Sequence, residues 1–158
     1  MEEKVIDFDT KKLGRILHII LIVGLVLFIP CFIMAPFLLK NNSSDLFSCL
    51  FLYPNGILMC FIIIEFMKLF KALEDDSPFT YENVNTLFKT GTISFIMSIL
   101  WIVDLIGMIF IVHNTYINYI IVLLFLFLLF FGVGIALYIL SLLFKKATEY
   151  KIENDLTI

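Results

Sequence analysis

One acid, Asp104, lies inside an otherwise apolar run, residues 92–112. An isolated ionised carboxylate in hydrocarbon costs about 2.5–3.5 kcal/mol on insertion scales. Such a group must face other helices, carry a proton or reach water. Eight residues separate it from Val112, about 12 Å at 1.5 Å per helical residue. A second apolar run, residues 46–67, is interrupted by Tyr53, Pro54, Asn55 and Gly56. Pro54 lacks a backbone N–H and so frees the carbonyl of Leu50. Asn55 is nine residues past Leu46, about 13 Å by the same rise. The acid and the broken helix therefore share a depth. The expected chemistry is a polar clamp of Asp104, Asn55, Pro54 and Tyr53, in which a protonated Asp104 donates to the freed carbonyl or to Asn55. The competing reading is a proton or ligand site.

No other constellation of catalytic residues appears. The sequence has no HExxH, no paired carboxylates in an apolar run, no Cys/His pair at one depth and no phosphate-binding loop. No enzyme activity, metal or cofactor is expected. His18 and His113 fall near opposite ends of apolar runs, too far apart to share an ion. Cys31, Cys49 and Cys60 lack CxxC spacing and are odd in number, which disfavours a disulfide framework. They read as small buried apolar residues, with a Cys31–Cys49 bridge as the alternative. A net charge of −3 offers no basic field for DNA or RNA.

The densest polar stretch is EDDSPFTYENVNTLFKTG, residues 74–91. Before it, Phe66, Leu69 or Phe70, and Leu73 share a helical face. Lys71 and Asp75 stand at i,i+4, and Lys68 is placed to neutralise Glu65. Ser77-Pro78 stops that helix. Thr80 is an N-cap whose hydroxyl can accept from the Asn83 N–H. Phe79 and Val84 have the spacing of a hydrophobic staple, and Glu82 complements the helix dipole. Tyr81, Val84, Leu87 or Phe88, and Gly91 fall on one face of the new helix. The corner (Glu74, Asp75, Asp76, Pro78, Phe79, Thr80, Asn83) fixes the angle between two helices. The second reading is that its acids meet a basic partner.

The elements that position these residues follow from composition. Apolar residues make up 61% of the 158, and Phe alone occurs 18 times. A soluble domain needs more polar surface, so most of this surface faces lipid. Residues 16–39, 46–67, 92–112 and 117–144 each suffice to cross a bilayer. Pro30 and Pro36 are expected to kink the first, Ser94 and Ser98 to line a packing face on the third, and Gly132 and Gly134 to admit a neighbour against the fourth. Of the eleven Lys and Arg, only Lys40 falls in a connector other than 68–91 or the termini. The positive-inside rule puts both termini and residues 68–91 in the cytoplasm. The expected fold is an all-α membrane protein. It has one domain of four transmembrane helices, a helical hairpin between spans two and three, and a tail at 145–158. The tail ends Asn154, Asp155, Leu156, Thr157, Ile158; apolar residues at a solvated end suggest docking on the protein, a partner or the bilayer, or folding on binding.

The phrase SPFTYENVNTLFKTG together with the ending ENDLTI resembles the bacterial membrane proteins grouped as domain of unknown function 2975. The matching positions are Pro78, Phe79, Thr80, Glu82, Asn83, Leu87 and Gly91, with Glu153 to Ile158. The resemblance implies a small multi-pass protein of the bacterial plasma membrane, without known enzymatic activity, often encoded beside a short helix-turn-helix regulator. It assigns no functional residue, and Asp104 and Pro54 lie outside it. The expected function is regulatory: the cytoplasmic face binds or sequesters such a regulator. Ten basic and eleven acidic residues on that face cannot grip DNA directly, but acidic clusters can meet a basic regulator. Two alternatives remain. One is an immunity or tolerance protein against a membrane-active peptide; the other is a small proton-linked transporter using Asp104. Expected partners are the bilayer, the regulator and, for a transporter this small, a second copy of the chain.

Overall fold

Helices form wherever the apolar runs predict them and continue well past their ends. α1 covers Thr10–Leu38, α2 Ser43–Glu74, α3 Tyr81–Ile111 and α4 Ile117–Leu156. The computed structural model describes residues 10–38, 43–75, 77–111 and 117–156, with side chains described at 10–34, 49–75, 77–110 and 117–156. All four helices are long and apolar enough to cross a membrane. Ile20, Val26, Leu27, Phe110, Phe125 and Leu143 each leave more than half their surface uncovered. Apolar area of that extent suits lipid, not water. The chain is a multi-pass membrane protein.

The helices outrun the bilayer. α4 has 40 residues, about 60 Å at 1.5 Å per residue, against a hydrocarbon core of about 30 Å. The expected boundary at 144/145 does not interrupt it, so residues 145–156 form a helical extension and not a solvated coil. The reason is local. Residues 145–156 contain no Gly or Pro and are rich in Lys, Glu and other good helix formers. Thr148, at 2% exposure, gives the extension a buried foothold. Thr157 and Ile158 lie outside the described residues, as do the N-terminal tail and residues 112–116.

The packing is a row. α1 packs on α2, α2 on α3 and α3 on α4; among the described residues no other pair of helices packs together. α1 is an outrigger, with Gly14 as its one buried position among the described side chains. A Cβ added at Gly14 would lie 2.9 Å from the Phe70 carbonyl oxygen and 3.0 Å from the Glu74 nitrogen. Only a glycine lets α1 cross α2 this closely. Beside that crossing, Arg15 Nε donates to Glu74 Oε1 at 2.9 Å. Farther along, the Phe32 ring lies over Gly56 and meets Tyr53 edge-on at 5.5 Å.

The α3–α4 seam is built from small residues. Gly91 faces the Gly134 carbonyl, and Gly134 faces the Phe95 ring. Thr90, Ser94 and Ser98 of α3 and Ser141 and Thr148 of α4 are buried. Each hydroxyl donates to a carbonyl of its own helix, as Thr90 does to Thr86 at 2.7 Å and Ser94 to Thr90 at 2.9 Å. A buried donor is thereby satisfied without a cross-helix partner, and the side chain packs like a small apolar one. Ring pairs Phe79–Phe144, Phe88–Tyr138 and Phe95–Phe131, with centroids 5.4–5.7 Å apart, run along the same seam. They fix an antiparallel register. Of the two glycines expected to admit a neighbour, Gly134 does so; a Cβ at Gly132 would meet nothing within 4 Å.

The buried face at the start of α3 corrects part of the sequence expectation: Leu87 and Gly91 are buried as expected, and Tyr81 is not. Asn83, Thr86, Leu87, Thr90 and Gly91 are buried, whereas Tyr81 and Phe88 are 53% and 46% exposed. Hydrophobicity alone favoured the aromatic side. Close helix approach selects small side chains, which carry little of that signal.

Candidate functional site

The corner between α2 and α3 is held almost entirely by local hydrogen bonds. The Ser77 N–H donates to the Ala72 carbonyl at 2.9 Å and the Asp75 N–H to Lys71 at 3.0 Å, closing the end of α2. Thr80 opens α3: its hydroxyl accepts from the Asn83 N–H at 3.2 Å and its carbonyl accepts from Val84 at 3.1 Å. The N-cap is where the sequence put it. Asn83 does more than be capped. Its side-chain amide donates to the Pro78 carbonyl at 2.8 Å and to the Ser77 carbonyl at 3.2 Å. At 6% exposure, Asn83 is the strut that sets the corner. Phe79 packs on Phe144 of α4, so this side chain ties the corner to the fourth helix.

Of the three corner acids, two lie among the described residues, and they differ in setting. Glu74 is taken by Arg15. Asp75 is exposed, and Asp76 lies outside the described residues. Lys71 and Asp75 make no ion pair, while Lys68 does reach Glu65, at 2.8 Å.

Next to the corner the row of helices leaves an apolar cleft of about 190 Å³. Phe66, Leu69, Phe70 and Leu73 of α2 form one wall, Leu140 and Phe144 of α4 the other, and Pro78, Asn83 and Leu87 the remainder. The cleft exists because α2 and α4 both pack on α3 but not on each other. The shared face of Phe66, Leu69 and Leu73 is visible in the sequence. The opposing wall is not, because residues more than 60 positions apart meet only through the row topology. Past the cleft, α4 carries exposed Tyr150, Ile152 and Leu156, the last 81% exposed. Asn154 and Asp155 lie on the same exposed turn.

The expected clamp is reorganised. Asp104 and Asn55 are buried, at 1% and 2% exposure. Asn55 Nδ2 donates to the Phe51 carbonyl of its own helix at 2.9 Å. Neither Asp104 oxygen, nor Asn55 Oδ1, nor Trp101 Nε1 has a hydrogen-bond partner among the described residues. The direct Asp104–Asn55 hydrogen bond is therefore not formed. Tyr53 and Pro54 are exposed on α2, Tyr53 against Phe32 of α1. Trp101, which the sequence reading passed over, packs with Ile102, Tyr119 and Ile120 against Leu105, Met108 and Leu123. Its i,i+3 spacing to Asp104 was the signal that could have found it.

Among the described residues no three His, Cys, Asp or Glu side chains gather as metal ligands. The three cysteines are free, Cys31 exposed and the other two half-buried, so the burial expected for them is not found.

A family profile described as protein of unknown function, DUF2975, matches residues 11–158. Neither the curated proteins nor the solved structures contain a match.

Proposed function

This chain belongs to the DUF2975 family of unknown function, and from that starting point we propose that it is a non-enzymatic membrane protein that holds a small partner protein at the cytoplasmic face. The observation that carries the reading is the apolar cleft beside the corner, next to an α4 that projects past it with Tyr150, Ile152 and Leu156 uncovered. An apolar groove beside an exposed helical extension suits a helix laid against it. The orientation rests on the distribution of Lys and Arg, which puts the corner and both termini in the cytoplasm. Asp75, Glu82, Glu149 and Asp155 lie exposed around this end, interspersed with exposed Lys71, Lys89, Lys145, Lys146 and Lys151; the acids can pair with a basic partner such as a small helix-turn-helix regulator of a bacterial cell.

Coexpression with each regulator encoded beside the gene tests this. The membrane-bound fraction of the regulator is measured for the full chain, for a chain lacking residues 152–158, and for Leu140→Glu, which puts a charge in the cleft. Recruitment by the full chain and at least a tenfold loss in both variants is the expected result. Equal recruitment by all three, or recruitment of no neighbouring regulator, contradicts it.

A further inference from the structure

We propose that the α2–α3 seam also contains a proton-binding site formed by Asp104, Trp101 and Asn55, separate from the partner surface. Four buried polar atoms there lack partners: Asp104 Oδ1 and Oδ2, Asn55 Oδ1 and Trp101 Nε1. Leaving one such group unpaired is costly, and more so when it is charged. Four together call for a ligand.

The spacing along the helices sets these residues on facing stripes. On α2, Phe66, Leu69 and Leu73 line the cleft with Asn83 and Leu87 of α3. Ile62 is buried on the same stripe, and Asn55 lies seven residues before it, two helical turns, hence on that side. On α3, Asn83, Leu87, Thr90, Ser94, Met97, Trp101 and Asp104 recur at alternating steps of four and three, a stripe that borders α2 at Asn83 and Leu87 and α4 at Trp101. Counted from the corner, Asn55 lies about 28 Å down α2 and Asp104 about 34 Å down α3, at 1.5 Å per residue. They are about one turn apart in height, with Trp101 between.

The ligand follows from the donor count. Among the four unpartnered atoms, with Asp104 ionised, only the Trp101 N–H is a donor, against three acceptors, and the charge is uncompensated. One proton added to a carboxylate oxygen changes both. It removes the charge and creates an O–H, giving two donors (Trp101 N–H and Asp104 O–H) and two acceptors (the Asp104 carbonyl and Asn55 Oδ1). A cation is not needed to balance the set. The other titratable groups nearby are the Cys49, Tyr53 and Cys60 side chains on α2 and Tyr119 on α4. No Lys, Arg, His, Asp or Glu lies within residues 49–64 of α2 or 117–144 of α4 to act as a counter-ion. The proton comes from water and returns to it.

Trp101 is the chain's single tryptophan, so emission excited where tyrosine does not absorb reports this site alone. The full chain in phospholipid vesicles is followed through a pH series by Trp101 emission, and by the infrared carboxylic-acid band at the low-pH plateau. Asp104→Asn and Asp104→Ser run beside it, each checked for helix content, so that failure of one to fold leaves the other. The expected result is two emission plateaus in the parent chain, with the transition and the infrared band lost in the variants. A flat parent emission, or an unchanged transition in either folded variant, overturns the proposal. Regulator recruitment is unaffected by that outcome and remains a separate test.

Discussion

Asn83 shows how much one side chain can set. Its backbone N–H is capped by Thr80, and its amide spans the Ser77 and Pro78 carbonyls. Thr80→Ala removes one capping acceptor and is expected to cost about 1 kcal/mol. Asn83→Ala strips donors from two carbonyls at a nearly buried position and is expected to cost more, about 1–3 kcal/mol. Unfolding of both variants in detergent measures the order; a Thr80 variant less stable than the Asn83 variant contradicts it. The cap was legible because N-capping is set by residues three apart in sequence. The amide's reach to Ser77 and Pro78 was not, because residue type alone does not say which carbonyls a turn will present. The same holds for Asp104. Its burial could be argued from the cost of a charge in lipid, but not that Asn55 would spend its amide on Phe51.

At the scale of elements, contact is controlled by where backbones approach. At Gly14 an added methyl meets backbone atoms of α2 at 2.9–3.0 Å, and these cannot yield without moving the helix. At Gly132 it meets nothing. Gly14→Ala is therefore expected to loosen α1 from α2, read as faster proteolysis between them. Gly132→Ala is expected to be neutral or to stabilise α4 by up to about 1 kcal/mol through helix propensity. Equal effects of the two would contradict this packing. The four spans were legible from hydropathy, since lipid imposes helix on any such run. The extension of α2 was legible from the helical rhythm of Phe66, Leu69 and Leu73 and the stop at Ser77-Pro78; that of α4 was less so, because polar turns carry no membrane signal. On α3, Leu87, Gly91, Ser94 and Ser98 are buried as expected, while Tyr81 is exposed and Asn83, Thr86 and Thr90 take the buried side.

At the scale of the whole molecule, four helices long enough to cross a bilayer lie in a row, with the corner, the cleft and the end of α4 at one end. This asymmetry is what gives the proposed partner surface a compartment. Among the described residues α1 and α4 do not pack together, and the cleft is an open groove. The sequence could not reveal the row, since four apolar helices of these lengths could equally close into a bundle.

Site-directed labelling tests the central claim most directly. In a chain with Cys31, Cys49 and Cys60 replaced by Ser, a single cysteine is placed at Phe79 of the corner. It is treated with a membrane-impermeant maleimide in intact cells and in inverted vesicles. No labelling in cells and full labelling in vesicles is the result expected. Labelling in intact cells would put the corner outside and contradict the account of a cytoplasmic partner.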